Sequence, residues 1–362
     1  MGETASDLYT IGAPAMIYLL MPGEPSQQLQ TMIKAAVGSS SIKIIKTAEA
    51  LPDLQNKKIL FAVEIDEMGF NIPLLHILKQ LMLRGKDALL GSQGALLVHS
   101  ASELYTKSTA AALIFLANQL GCSFMGHPLV EATGSLHNFL TWQKTYQTSL
   151  EQISFDLSRR LGERLLTDQP TRIQHPQIAV LHSSYRKSSN TLMLWDMIKK
   201  QLSQCHIEEL HVQNGTVLDC IGCPYHTCRH FGLQSSCFYG GFMVKEVLPA
   251  IENADAVIWI CPNYNDSVSA NLMAVINRLT ALYHKIKFYD KYIFAAIVSG
   301  NSGSDSLAKQ LIDALNINKG FRLPPYFSIM ATANDPGSIL KVKNIEEMTD
   351  FFSRNMLRQI KA

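Results

Sequence analysis

Apolar residues along this chain come in two alternating rhythms. Short unbroken apolar runs, as found in strands buried on both faces, are followed by stretches with apolar residues three and four apart. That second spacing marks a helix lying on a sheet. In the first half, apolar runs at 15–20, 42–45, 58–63, 95–99 and 128–132 predict five strands. Helical spacing falls at 27–37, 74–83, 110–120 and 150–166, with Leu74, Ile77, Leu78 and Leu81 on one face. The second half repeats the plan, with strands expected at 178–181, 207–210, 256–260, 293–298 and 326–330. Alternation of strand and helix predicts, in each half, a five-stranded parallel sheet covered on both faces.

The repetition reaches individual residues. An offset of 198 places Phe61 on Trp259, Leu74 on Leu272, Ile77 on Val275 and Leu81 on Leu279. An offset of 199 places Gly121 on Gly320 and Ala132-Thr133 on Ala331-Thr332, and one of 200 aligns Ala95–Val98 with Ala295–Val298. Late in each half, Ser158-Arg159 falls on Ser353-Arg354. Any two α/β domains share apolar periodicity, but matching small and polar positions favour a duplication. Asp168-Gln-Pro170 and His175-Pro176 break the preceding helix. They divide the chain into domains at 1–168 and 177–362.

Composition narrows the class. A chain of 362 residues accommodates two ordinary domains, and 47% hydrophobic with 17% charged residues excludes disorder. The formal charge of +2, with scattered Lys and Arg, gives no basic field for nucleic acid. No apolar run approaches the ~18 residues of a membrane span. The apolar segment at 13–20 is short, lacks a basic flank and reads as a buried strand rather than a signal peptide. A soluble, cytoplasmic protein is expected. Seven cysteines, four of them bunched, suit metal or redox use in a reducing compartment better than a disulfide framework.

Three strand-to-helix loops of the second half carry candidate chemistry. After the first strand, Ser184, Ser189, Asn190 and Thr191 offer hydroxyl, amide and backbone donors at a helix N-terminus, and Arg186 adds positive charge; this combination suits a phosphate. After the third, Pro262 stiffens a turn in which Asn263 and Asn265 offer amides and Tyr264 an aromatic face, suited to a flat heteroaromatic ring. After the fourth, Ser299, Gly300, Asn301, Ser302 and Gly303 form a Gly-rich turn through which backbone can approach a ligand. Each loop alone also reads as an ordinary helix cap. Together they gather at the carboxyl ends of neighbouring strands, where doubly wound sheets bind ligands.

The run Ser183-Ser-Tyr-Arg-Lys-Ser-Ser-Asn-Thr191 resembles the Gly-Ser-Pro-Arg-x-x-x-(Asn/Ser)-Thr phosphate loop of the NADPH-dependent FMN reductases, flavodoxin-like proteins whose group includes the iron–sulfur flavoproteins. Asp219-Cys-Ile-Gly-Cys223 resembles that family's Cys-x-Gly-Cys element, Cys261-Pro-Asn-Tyr264 its Ser-Pro-x-Tyr loop, and Asn277-Arg278 its terminal Asp-Arg. Ser183 stands where the family has Gly and Tyr185 where it has Pro. The resemblance spans about 177–315. It implies two tandem flavodoxin-like domains, with FMN in the second and NAD(P)H as electron donor. The FMN phosphate would meet Ser184, Arg186, Ser189, Asn190 and Thr191. Its ring would lie against Pro262, Asn263, Tyr264 and Asn265, flanked by residues 299–303. Tyr264 and Asn265, with Phe238 and Tyr239, would shape the acceptor site.

The bunched thiols are spaced Cys220-x2-Cys223-x4-Cys228-x8-Cys237. Iron–sulfur flavoproteins carry a compact cysteine run here, with shorter second and third gaps. Three readings stay open: a [4Fe–4S] cluster, a structural zinc, or unligated thiols including a redox pair at Cys220 and Cys223. His226 and His230 lie in the same loop and could replace a thiolate.

In the first half the loop matching the phosphate site reads Met21-Pro-Gly-Glu-Pro-Ser26, and the ring loop Glu64-Ile-Asp-Glu-Met68, which adds three carboxylates. This half is expected to bind no FMN and to replace the second subunit of a flavodoxin-like dimer. A polar cluster at His99, Ser100, Ser102, Glu103, Tyr105 and Thr106 reads as a surface loop or an interdomain lining. The functional expectation is an FMN-dependent NAD(P)H oxidoreductase serving a small acceptor, a redox protein or a cluster. The alternatives are a flavodoxin-like electron carrier, excluded by steady NAD(P)H turnover, and a zinc-stabilised binding module, favoured by a colourless zinc protein. The physiological acceptor and any homo-oligomeric state stay open.

Overall fold

The computed structural model describes residues 16–185 and 188–362; Arg186, expected at the phosphate, lies outside the described residues. Two five-stranded, wholly parallel sheets account for the architecture. The first contains β1 (Met16–Leu20), β2 (Ser41–Ile45), β3 (Lys58–Ile65), β4 (Gln93–Ser100) and β5 (Ser123–Ala132), in the order β2-β1-β3-β4-β5. The second contains β6 (Gln177–His182), β7 (His206–His211), β8 (Ala256–Pro262), β9 (Tyr292–Ser299) and β10 (Ser328–Thr332), in the equivalent order β7-β6-β8-β9-β10. Both are the doubly wound order of flavodoxin-like sheets. The central strands explain the unbroken apolar runs: Ile59–Val63 of β3 and Tyr292–Ile297 of β9 are buried on both faces.

Helices α1 (Gln27–Val37) and α5 (Leu150–Thr167) cover one face of the first sheet, enclosing Ile17, Leu29, Met32, Leu60 and Leu161. In the second sheet, α6 (Asn190–Lys199) and α11 (Ile345–Ile360) enclose Val180, Trp195, Phe294 and Met356. The other faces carry α2 (Ile72–Leu83), α3 (Thr106–Gln119), α9 (Ala270–Tyr283) and α10 (Ser304–Leu311), and their core is continuous between the halves, running from Phe61 and Phe124 to Phe288 and Phe321. Shorter helices are α4 (Leu140–Tyr146), α7 (Tyr225–Gly232) and α8 (Leu248–Asn253).

The shared core is pinned by reciprocal polar contacts. Asn118, at the end of α3, donates to Cys122 O at 3.0 Å and across to Pro324 O at 2.6 Å. Asn316, offset by 198, donates to Phe321 O at 2.7 Å and across to Met125 O at 3.1 Å. Phe124 and Leu323 exchange backbone hydrogen bonds of 2.8 and 2.9 Å. Strand β5 accordingly begins before the apolar run at 128, with a register shift against β4 between Gly94 and Leu96. The irregular stretch is what meets the second half. A Cβ on Gly126 would run into the Gly320 carbonyl.

His127 sits in that stretch with φ of 50°. Its Nδ1 lies 2.7 Å from Ile317 O and its Nε2 2.9 Å from Tyr283 Oη. A neutral ring donating from Nδ1 and accepting at Nε2 satisfies both partners. Burial, only partly offset by the Ile317 bond and reinforced by Arg164, Lys287 and Lys319, pushes its pKa down to about 4. The unfolded chain therefore takes up a proton that the folded chain refuses between the ordinary histidine value and about 4, so stability falls as pH drops through that window. The loss should reach roughly 3 kcal/mol. His127→Gln should flatten the corresponding drop in Tm measured from pH 7 to 4.

Candidate functional site

The loops after β6, β8, β9 and β10 enclose a cleft of about 620 Å³. Ser184, Ser189, Asn190, Thr191, Pro262, Asn263, Tyr264 and Gly300, all expected from the sequence, line it. Ser184 and Thr191 are buried, and the Thr191 hydroxyl lies 2.9 Å from that of Ser189 and 3.4 Å from that of Ser184. These hydroxyls stand at the first turn of α6. Ser189 precedes that helix without capping it, and Ser269 before α9 and Gly303 before α10 make no side-chain cap either, among the described residues. Three helix N-termini thus keep their partial positive charge and free N–H groups for something other than their own side chains. The hydroxyl set and the α6 N-terminus fit a phosphate; Pro262, Tyr264 and Gly300 fit a flat ring.

Several expected contacts are placed differently. Asn190 donates its amide to Ala333 O at 3.0 Å and Asp335 O at 2.9 Å and accepts from Ile339 N at 3.2 Å. Its side chain anchors the loop after β10, leaving only its backbone for a phosphate. Ser299 is fully buried beneath the cleft, bonded to Asn263 Nδ2 at 2.9 Å and to the Ser304 hydroxyl at 2.6 Å. Asn263 also donates to Ser302 O at 2.9 Å and Asp266 Oδ1 at 3.1 Å, while its Oδ1 is buried without a partner. That oxygen is an acceptor with no partner among the described residues. Asn265 occupies a left-handed position at the turn tip, φ 53°, and with Asn301, Ser302 and Gly303 does not line the cleft.

The sequence reading missed the loop after β10, where Ala333, Asn334 and Pro336 form one wall. The signal was present in the turn-forming Asn334-Asp-Pro-Gly337 at the carboxyl end of the fifth strand. Tyr185, in place of the family's proline, packs edge-on against His211, which stacks on His182 with centroids 4.6 Å apart. Burial and then His211 push His182 below its ordinary value.

The equivalent corner of the first half is closed from within. Ser26 caps α1 by accepting from Leu29 N at 3.2 Å, and its own N–H donates to Glu64 Oε2 at 3.1 Å. Glu64 Oε1 meets His99 Nδ1 at 2.5 Å, and the Ser26 hydroxyl lies 3.0 Å from the same nitrogen. Burial works to raise the Glu64 pKa, but the bonds from His99 and Ser26 outweigh it and hold the carboxyl below its usual range. A carboxylate therefore occupies the helix N-terminus that a phosphate would need. Glu24, by contrast, is exposed and paired with Lys46 at 2.9 Å. Of the polar cluster after β4, Glu103 accepts from Ser135 N and Thr106 donates to Glu131, ties within the same half.

Cys220, Cys223, Cys228 and Cys237 line a second pocket of about 390 Å³, with Tyr225, Phe231, Phe238, Tyr239 and Arg278. Phe238 and Tyr239 thus belong to the thiol pocket rather than to the cleft. No three His, Cys, Asp or Glu side chains among the described residues converge closely enough to hold a metal ion, so none of the three readings of the four thiols gains a ligand set here. Cys220 is exposed before the turn at Gly222, Cys228 lies inside α7 and Cys237 follows it, so helix geometry spreads the sulfurs. The charge of the pocket is unusual. Arg278 is buried, with hydrogen bonds only to Leu218 O and Gly240 O and an unpartnered Nε. Lys319 donates to Thr280 Oγ1 at 2.9 Å. Burial pushes Lys319 below its ordinary value, and Cys220 and Cys228 pull it back. Neither cation has a carboxylate partner among the described residues. Arg278 gives the pocket a positive charge, while burial and the neighbouring thiols push the Cys228 thiol up.

The fold is a doubly wound α/β arrangement, repeated in each half, with the cleft at the carboxyl ends of the second sheet. Residues 176–335 match the family model for NADPH-dependent FMN reductase. The matched residues are those that carry the cleft. No curated protein matches the chain. Among solved structures, an NAD(P)H:quinone oxidoreductase from Methanothermobacter marburgensis is 14% identical, with 50% of this chain and 97% of that one aligned at a TM-score of 0.37. An azoreductase from Bacillus anthracis is 11% identical, over 51% and 97%, at 0.35. RosB with a bound formylriboflavin phosphate intermediate is 16% identical, over 51% and 80%, at 0.38. Among the described residues no helix is long and apolar enough to cross a membrane.

Proposed function

We propose that this chain binds one FMN in the cleft of its second half and uses it to oxidise NAD(P)H for a small acceptor such as a quinone. The carrying observation is the contrast between two equivalent helix ends: α6 opens uncapped onto three hydroxyls, whereas α1 is filled by Glu64. FMN supplies hydride acceptance and delivery. The chain supplies position and field. Ser184, Ser189 and Thr191, with the α6 N–H groups, would hold the phosphate; Pro262 and Tyr264 would support the ring; the Asn263 amide, fixed by Ser299 and Ser302, would offer its free oxygen to a ring donor. Tyr264, more than half exposed, is left to meet donor or acceptor.

In the same reading, domains at 1–168 and 177–362 descend from a duplication, and the first is a flavin-free partner replacing a second subunit. The reciprocal Asn118 and Asn316 contacts support it. Purified protein should carry one FMN per chain and oxidise NAD(P)H in the presence of a quinone. Absence of FMN from protein refolded or soaked with it would overturn the proposal.

A second reading, delivery of electrons to a cluster on the four cysteines, is favoured by Arg278, which is buried beside them with no carboxylate partner among the described residues, since an uncompensated buried charge is costly. It requires the loop at 220–237 to draw the sulfurs together. Protein purified without oxygen should then contain iron and sulfide and show a dithionite-bleached shoulder near roughly 400 nm beside the flavin bands. Cys228→Ala should remove that shoulder and leave FMN in place. Iron-free protein from an iron-replete preparation would exclude the cluster.

A further inference from the structure

A cleft of about 600 Å³ lies between the halves, at the amino ends of β3, β4 and β5, against the chain segment after α5 and the last turn of α11. It shares no lining residue with the flavin cleft. Lys57 and Lys58 reach it from the first half, Arg172 from the connection and Arg358 from α11. None of the four is paired with a carboxylate among the described residues. The acid lining the cleft, Asp168, is already saturated: Arg322 grips both its oxygens at 2.6 and 2.7 Å and Gln93 Nε2 lies 3.3 Å away. Burial pushes the Lys58 ammonium down, Asp168 pulls it back and Arg322 adds to the push. Lys58 Nζ is taken up by Gln93 Oε1 and, at 3.2 Å, by Asp168 O, whereas Lys57, Arg172 and Arg358 meet no carboxylate among the described residues and leave a local positive excess that an anion would relieve.

We propose that this interdomain cleft binds a small molecule carrying a di- or polyphosphate. Three cations without a carboxylate partner supply more charge than one carboxylate uses, and Asn56 and Gln359 line the same cavity with amides that can satisfy further oxyanions, while Gln93 is already engaged with Lys58 and Asp168. Leu90, Pro170 and Pro325 give an apolar wall for the organic remainder, which points to a nucleotide. Because its ligands come from both halves and their connection, the bound anion clamps the halves together. The inference stands on this cavity alone and does not depend on flavin in the second half.

Calorimetric titration of the full chain at low salt, with pyrophosphate, ADP and citrate, tests it. Pyrophosphate and ADP should bind and raise Tm. Their Kd should increase at least about tenfold in the double variant Lys57→Gln/Arg358→Gln. Arg358 is exposed and Lys57 half-buried, neither in the apolar core, so the fold should survive; unchanged FMN content and KM for NAD(P)H would separate this cavity from the electron-donor site. The proposal fails if wild type binds neither phosphate compound, if the double variant binds them as well as wild type (an adventitious ion only), if citrate binds more tightly than pyrophosphate, or if the variant's KM shifts.

Discussion

Ser184→Asp should leave the protein folded and colourless. Ser184 is buried at the loop that opens α6, and its hydroxyl lies in the set that faces the cleft. An aspartate there would place a carboxylate against the same uncapped N–H groups that the phosphate requires. It would reproduce in the second half what Glu64 does at α1, where the carboxylate takes the Ser26 N–H. The α6 helix end would be no less stable, because an acidic group at a helix N-terminus is favourable. A dianionic phosphate would meet both repulsion and occupied donors. FMN affinity should fall by at least about a hundredfold, equivalent to roughly 3 kcal/mol. Fluorescence titration of FMN into apo-protein reads the affinity, and far-ultraviolet circular dichroism with Tm reports the fold. Retention of FMN at wild-type affinity would remove Ser184 from the phosphate site. The paired variant Glu64→Gln should not create flavin binding in the first half, since its Ser26 cap and lost hydroxyls remain.

Arg322→Met should produce the largest loss of stability of any single change outside the apolar core. Arg322 and Asp168 form a two-pronged pair at 2.6 and 2.7 Å that joins the end of α5 to the segment before β10. Both side chains are largely buried, at 8% and 16% exposure. Removing the arginine strips both oxygens of Asp168 of their partner and leaves Gln93 as its side-chain donor, with the Lys58 ammonium nearby on its carbonyl. Breaking a buried pair from one side costs about 3–5 kcal/mol. Chemical denaturation should show that loss, and the double variant Arg322→Met/Asp168→Leu should recover much of it. If the single variant loses less than about 1 kcal/mol, the pair is screened by solvent and does not hold the halves together.

How far the sequence spoke differs between strands and side chains. Unbroken runs such as Ile59–Val63 and Tyr292–Ile297 admit one reading, because a strand shielded by helices on both faces has no polar face to show. The bounds of β5 and β10 were harder. Gly126, His127 and Pro128 break the run before Leu129, and Tyr326 takes a left-handed φ of 52° before β10. Those irregularities answer to the other half of the chain, through Gly320 and Lys86–Asp87, at sequence distances no local pattern carries.

The cleft divides similarly. The hydroxyl loop at Ser184–Thr191 and the Pro262–Tyr264 turn were legible because residue type and position after a strand confine them to a sheet's carboxyl edge. The employment of each side chain was not. Asn190 and Ser299 have the right chemistry for a ligand, yet both spend it holding neighbouring loops. Glu64 and His99, distant along the chain, close the first half's site only because β3 and β4 are neighbours in register.

By itself, then, the sequence determined the alternation of strand and helix, the doubling of the plan and the place of the hydroxyl-rich loop after β6, because each depends on residues close together along the chain. The tertiary structure alone decided that the two sheets share one core, that Glu64 takes the Ser26 N–H at the start of α1, that the four thiols line a pocket with the buried Arg278, and that a basic cavity opens between the halves. Those outcomes depend on which distant groups are brought into contact, and on whether a partner already satisfies a donor or a charge.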